Sequence, residues 1–197
     1  ISMSVVNMLY NWQLMRLIGA QGVAVFGIIM YVSFIFAAIF IGYSMGSAPV
    51  IGFHYGAGNK EELKGLFRKS LWILLVFSVV LTGLAMMLAK PLAMIFVAYD
   101  AELLELTKRA LTIYSLSFLM SGFNIFASSF FTALNDGLTS ALISFGRTLM
   151  FQAASVLLLP LIFDVDGIWA AVILAEGLAL ILSAVCVIRN RKKYGYA

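Results

Sequence analysis

The chain has 197 residues, of which 63% are hydrophobic and only 11% charged, and its mean hydropathy is +1.04. Soluble domains carry about 25% charged residues, so this composition excludes one and points to an integral membrane protein. The net charge of +4 does not call for nucleic acid, because the basic residues sit at the ends of apolar runs, where lipid headgroups and topology account for them.

The apolar runs are long enough for helices, which need about 20 residues to cross the hydrocarbon core, and the ten-residue alternation of barrel strands is missing. The expected fold is therefore all-α, a polytopic membrane-spanning helical bundle forming a single lobe over residues 1–197. A lone cysteine, Cys186, leaves no internal disulfide. The first apolar run starts at Ile1 without a basic lead, so it reads as a span entered midway and not as a signal peptide.

In chain order, residues 1–17 form that partial first span. Ser4, Asn7 and Asn11 share one helical face there, either as hydrogen-bonding glue between helices or as cavity lining, and Gly19 and Gly22 close the span. The second span, residues 23–53, is longer than a bilayer requires and contains Pro49, which predicts a kink near residues 45–49. Gly42, Gly46, Gly52 and Gly56 make two small-xxx-small pairs, read as surfaces for close helix packing in a part that could move. Asn59 and Glu62 have the spacing of a capping box. They open an amphipathic helix over residues 59–69 that is expected to lie at the interface, with His54 beside it as a surface residue lacking any metal-ligating company.

A third span covers residues 71–88 and is ended by Lys90 and Pro91; Asp100 then caps the next helix. The fourth span, residues 108–134, carries Tyr114, Ser117, Ser121, Asn124, Ser128 and Thr132 at helical spacing, a polar stripe over most of the membrane depth. Polar groups are costly there, so the stripe predicts a cavity wall, centred on Asn124, in preference to simple glue. The fifth span, residues 139–163, has a polar face of Ser144, Thr148, Gln152 and Ser155 with Arg147 beside it. The sixth, residues 168–188, holds one acid, Glu176, and a basic tail fills residues 189–197. Glu176 is either a proton site, a partner for Arg147, or a neutral acid bonded to backbone. Eight lysines and arginines on one side against four on the other place the loop at residues 56–59 and the C-terminus in the cytoplasm.

Gly52-Phe53-His54-Tyr55-Gly56-Ala57-Gly58-Asn59-Lys60, after a span containing Pro49, resembles the G-x-x-x-G-A-G-N-K/R pattern of the multidrug and toxic compound extrusion (MATE) family. The segment from Phe131-Thr132-Ala133-Leu134 through Arg147 and Pro160 to Asp166-Gly167-Ile168-Trp169 is similar to the later part of that family. The resemblance implies a twelve-span plasma-membrane transporter of two six-helix lobes, with this chain as the C-terminal lobe and an N-terminal lobe as its missing partner. It implies export of amphipathic organic cations by proton- or sodium-coupled antiport through a cavity between the lobes. No cofactor or structural metal is implied. Sodium-coupled members are similar in having an acid in the tenth span, which here falls at or near Asn124, a neutral amide. That departure moves ion coupling mainly to the other lobe, or to Glu176. A membrane enzyme is excluded, because no span contains a second acid or a nucleophile–base pair beside Glu176. A lipid-precursor flippase of the same superfamily and a non-transporting scaffold remain as alternatives.

Overall fold

The computed structural model describes residues 2–196; Ile1 of the expected first span and Ala197 of the expected tail lie outside them. The chain is a helical bundle built from α1 (Ser2–Gly56), α2 (Lys60–Val97), α3 (Ala101–Ser115), α4 (Phe118–Ala133), α5 (Gly137–Phe145), a π-helical turn (Gly146–Phe151), α6 (Gln152–Leu158) and α7 (Pro160–Tyr194). Four of its helical segments are long and apolar enough to cross a membrane, and α3 with α4 make a fifth if that bent pair is counted as one span.

Local chemistry sets the joints. Asn59 accepts the N–H of Glu62 at 3.2 Å and starts α2. Asp100 accepts those of Glu102 and Leu103 at 3.0 Å and starts α3, and Asp136 accepts that of Thr139 at 3.1 Å and starts α5. Helix α1 is interrupted at Gly19, whose φ of 69° and ψ of −152° suit only glycine. A second break within α7 falls at Asp164, with φ of 48°.

Several expectations about span ends are corrected. Helix α1 continues through Pro49 with helical dihedrals, and its one interruption lies at Gly19. Proline removes one backbone bond, but Pro49 is exposed and the surrounding apolar turns keep the helix going. Likewise Lys90 and Pro91 do not end the third span: α2 runs on to Val97. The stretch at residues 60–69 is no separate interfacial helix but the first turns of the same α2. At about 1.5 Å per residue, its 38 residues outreach a hydrocarbon core about 30 Å thick, so its charged start projects beyond the core. The basic stretch after residue 188 is helical to Tyr194.

Helix α4 is the axis of the bundle, packing against α1, α2, α5 and α7. Its Phe126, Phe130 and Phe131 are fully buried. Gly122 admits the ring of Phe40 from α1 so closely that a Cβ there would lie 2.5 Å from it. The glycine pairs of α1 serve packing within the chain at one position only. Gly42, Gly46 and Gly56 face open space, and only Gly52 meets a neighbour, the carbonyl of Ala133 at 3.4 Å. That side of α1 is turned away from the bundle.

Candidate functional site

Between α3 and α4 the chain bends by 48° at Leu116 and Ser117. The bend sets Tyr114, Ser117 and Ser121 around a cleft of about 130 Å³. The Ser117 carbonyl accepts the N–H groups of Met120 and Ser121 and the Ser121 hydroxyl, all within 3.0 Å, so the corner closes its own backbone bonds. Opposite stand Arg147 from the π-helical turn, Gln152 from α6 and Glu176 from α7. Ser33 of α1 completes the wall. Its hydroxyl is buried next to the Tyr114 side chain.

The Glu176 carboxylate is 2% exposed and is held from two sides. Arg147 Nε donates to Oε1 at 2.9 Å and to Oε2 at 3.0 Å, and its Nη2 reaches Oε1 at 2.8 Å. Asn124 Nδ2 donates to Oε2 at 2.7 Å and to the Glu176 carbonyl at 3.0 Å. The amide oxygen of Asn124 in turn accepts the Ser183 hydroxyl at 3.0 Å. A charge this deep in an apolar medium persists only when paired and hydrogen-bonded, and here both conditions are met. The π-helical turn puts one extra residue into the segment that carries Arg147, a distortion frequent at functional sites.

The sequence-derived stripe therefore divides at the α4 midpoint. Tyr114, Ser117 and Ser121 face the cleft, whereas Asn124 and Ser128 do not line it. Asn124 is fully buried behind the cleft and spends its amide on Glu176 and Ser183. Ser128 Oγ lies 2.6 Å from Ser144 Oγ and 3.0 Å from Ser140 Oγ, while Thr132 Oγ1 lies 2.7 Å from Ser140 Oγ. These hydroxyls stitch α4 to α5. Asn7 and Asn11 are also absent from the cleft: the first is half-buried and the second exposed, because α1 turns Val6, Tyr10 and Leu14 inward. The interhelical bond expected of them is made by Gln13, which donates to the Val156 carbonyl at 3.2 Å. Of the fifth-span face, Gln152 reaches the cleft and Ser155 is buried.

A second polar cluster, unforeseen in the sequence, closes the end of the bundle where α4 meets α5. Tyr194 donates to Asp136 Oδ2 at 2.6 Å and Thr139 Oγ1 does so at 2.9 Å, with Lys193 Nζ 3.8 Å away. The Tyr194 hydrogen bond, with those of Thr139 and the nearby Lys193 charge, outweighs burial and holds the Asp136 carboxyl below its usual range. Tyr196 is fully buried against Phe67 and Phe130, at ring distances of 5.1 and 4.9 Å. The only signal in the sequence was the pair of tyrosines following a basic run. At the other end, Arg109 of α3 pairs with Asp166 of α7. Among the described residues, no three His, Cys, Asp or Glu side chains gather closely enough to hold a metal ion.

The MatE family model matches residues 1–157. The fold matches the Vibrio cholerae MATE transporter VcmN in its bent form with a TM-score of 0.87 at 18% identity, covering 97% of this chain and 43% of that one. It matches a multidrug resistance MATE family transporter of the MOP superfamily, in its outward-facing conformation, with a TM-score of 0.86 at 20% identity, covering 98% and 43%. A MOP superfamily transporter from Pyrococcus furiosus, for which reversed polarity of the binding pocket suggests a different function, gives a TM-score of 0.86 at 20% identity over the same shares. The chain thus spans less than half the length of these structures, and at such identity the likeness is one of fold. No curated protein sequence matches the chain.

Proposed function

Because the chain belongs to the MatE family of transporters, we propose that it is the C-terminal lobe of a secondary-active exporter of amphipathic organic cations. It comprises a partial first span and five full ones and works by alternating access against an N-terminal lobe. The lobe assignment rests on the glycine-rich pattern at residues 52–60 and on the order of the later motifs. The outward-turned side of α1, with Gly42, Gly46 and Pro49, is the surface the other lobe covers, and Asn7 and Asn11 face the space between lobes. Excess basic charge around residues 60–69 and 189–193 puts those ends in the cytoplasm of a cell whose plasma membrane holds the protein.

The observation that carries the reading is the Glu176 carboxylate at the wall of a cleft that also offers an aromatic ring, Tyr114. An organic cation entering there competes with Arg147 for the carboxylate while stacking on the tyrosine. Coupling to protons or sodium is assigned chiefly to the other lobe, since the tenth-span position holds Asn124. The one arginine of the cleft is neutralised by Glu176, which disfavours a flippase for anionic lipid precursors. Ethidium fluorescence with the purified chain tests this. Glu176→Gln is expected to weaken binding about tenfold, the loss of one charged contact. Equal affinity in that variant overturns the reading.

A further inference from the structure

We propose that a groove on the lipid-facing side of the bundle, between α2 and α7, is a specific site for one anionic glycerophospholipid. Two hollows meet there. One, of about 330 Å³, is lined by Arg68, Leu71, Trp72 and Leu75 of α2 with Phe123 of α4. The other, of about 210 Å³, shares Leu71 and Phe123 and continues along Ala184, Val187 and Ile188 of α7. The two hollows share two wall residues and are apolar throughout, a surface that an acyl chain of the surrounding bilayer can lie against, so the walls accept a lipid tail and do not select it.

The occupant is selected by charge at the mouth. Arg68 lines the groove and is exposed, and among the described residues no carboxylate pairs with it. It stands where α2 passes from charged to apolar sequence. On the facing helix the same boundary falls between Ile188, which lines the groove, and Arg189. Arg68 thus presents a guanidinium directly above apolar walls. The nearest acids along α2, Glu61 and Glu62, lie two turns further out. A guanidinium forks two N–H groups onto phosphate oxygens, which a zwitterionic headgroup would offset with its own cation. At the inner wall lies Ser183, the residue that donates to Asn124, so the lipid tail rests against the back of the Glu176 network.

Trp72 sits in the groove and is its own reporter. Of the two other tryptophans, Trp169 is buried and Trp12 is replaced by phenylalanine for the measurement. The Trp12→Phe chain is reconstituted in phosphatidylcholine bilayers containing increasing fractions of phosphatidylglycerol or of phosphatidylcholine brominated on the acyl chain. Half-maximal quenching of Trp72 is expected at a fraction about fivefold lower for brominated phosphatidylglycerol, the preference one cation near the surface supplies. Arg68→Gln should bring the two lipids together, and Ala184→Phe, at an exposed groove position that leaves the core untouched, should weaken quenching by phosphatidylglycerol. Equal quenching by the two lipids in the parent chain overturns the proposal, as does a preference that survives Arg68→Gln.

Discussion

Glu176 and Asp136 are both carboxylates held by neighbouring side chains, yet they stand in different media. Glu176 lies in the bundle interior with Arg147, Asn124 and, through the amide, Ser183. Asp136 lies at the bundle's end with Tyr194, Thr139 and the distant Lys193. Comparable partners have different consequences, because the cost of an unpaired charge grows as water is withdrawn. In the interior the partners are obligatory; at the end they are helpful, since water stands ready to replace them. The comparison predicts that equivalent substitutions will differ in effect according to place and not according to hydrogen-bond count.

The largest effect is expected for Arg147→Met, which leaves the Glu176 carboxylate without its cation. A loss of about 3–5 kcal/mol in denaturant unfolding of the detergent-solubilised chain would match a broken buried pair. Adding Glu176→Met should recover most of that loss, and a double variant that is merely additive would show the two residues to be uncoupled. Asn124→Leu comes next, at about 1.5–3 kcal/mol, the range for a hydrogen bond to a charged group. Ser128→Ala removes hydroxyl contacts between α4 and α5 and is expected to cost about 0.6 kcal/mol, as interhelical bonds in membranes do on average. The smallest loss, about 0.2–0.5 kcal/mol, is expected for Asp136→Asn. If Asp136→Asn proves as harmful as Arg147→Met, the contrast between interior and end is lost.

Acid sharpens the same contrast. The Asp136 carboxyl is held below its usual range in the folded chain, so its contribution is complete above the unfolded aspartate value of about 3.9 and disappears as pH falls through the lower folded value. Hydrogen exchange at the Thr139 amide, which donates to Asp136, should accelerate in that acid window relative to the Asp136→Asn variant. An identical pH dependence in the two chains would remove Asp136 from the account.

Much of this architecture is legible in the residues because it depends on neighbours along the chain. The caps at Asn59 and Asp100, the break at Gly19 and the shared face of Tyr114, Ser117 and Ser121 all follow from short-range rules. The corner at Leu116 and Ser117 contains neither glycine nor proline, and the π-helical turn around Arg147 leaves no compositional mark, so packing decides both. Asn124 and Glu176 meet across 52 positions, and periodicity can show that an amide faces inward without showing whether water or a carboxylate awaits it. Pro91 misled for the opposite reason: a local rule against helix continuation yields where the surrounding apolar turns have no other way to satisfy their backbone.

The fit of Phe40 into the surface of α4 at Gly122 bears on how this lobe can move. A ring lodged where even a methyl group would collide acts as a detent between two rods. Sliding of α4 along α1 would move the ring out of the one place on α4 that has room for it. Motions of the lobe are thereby indexed into a rigid unit and a stepped one, and a single added methyl at that position would jam the step.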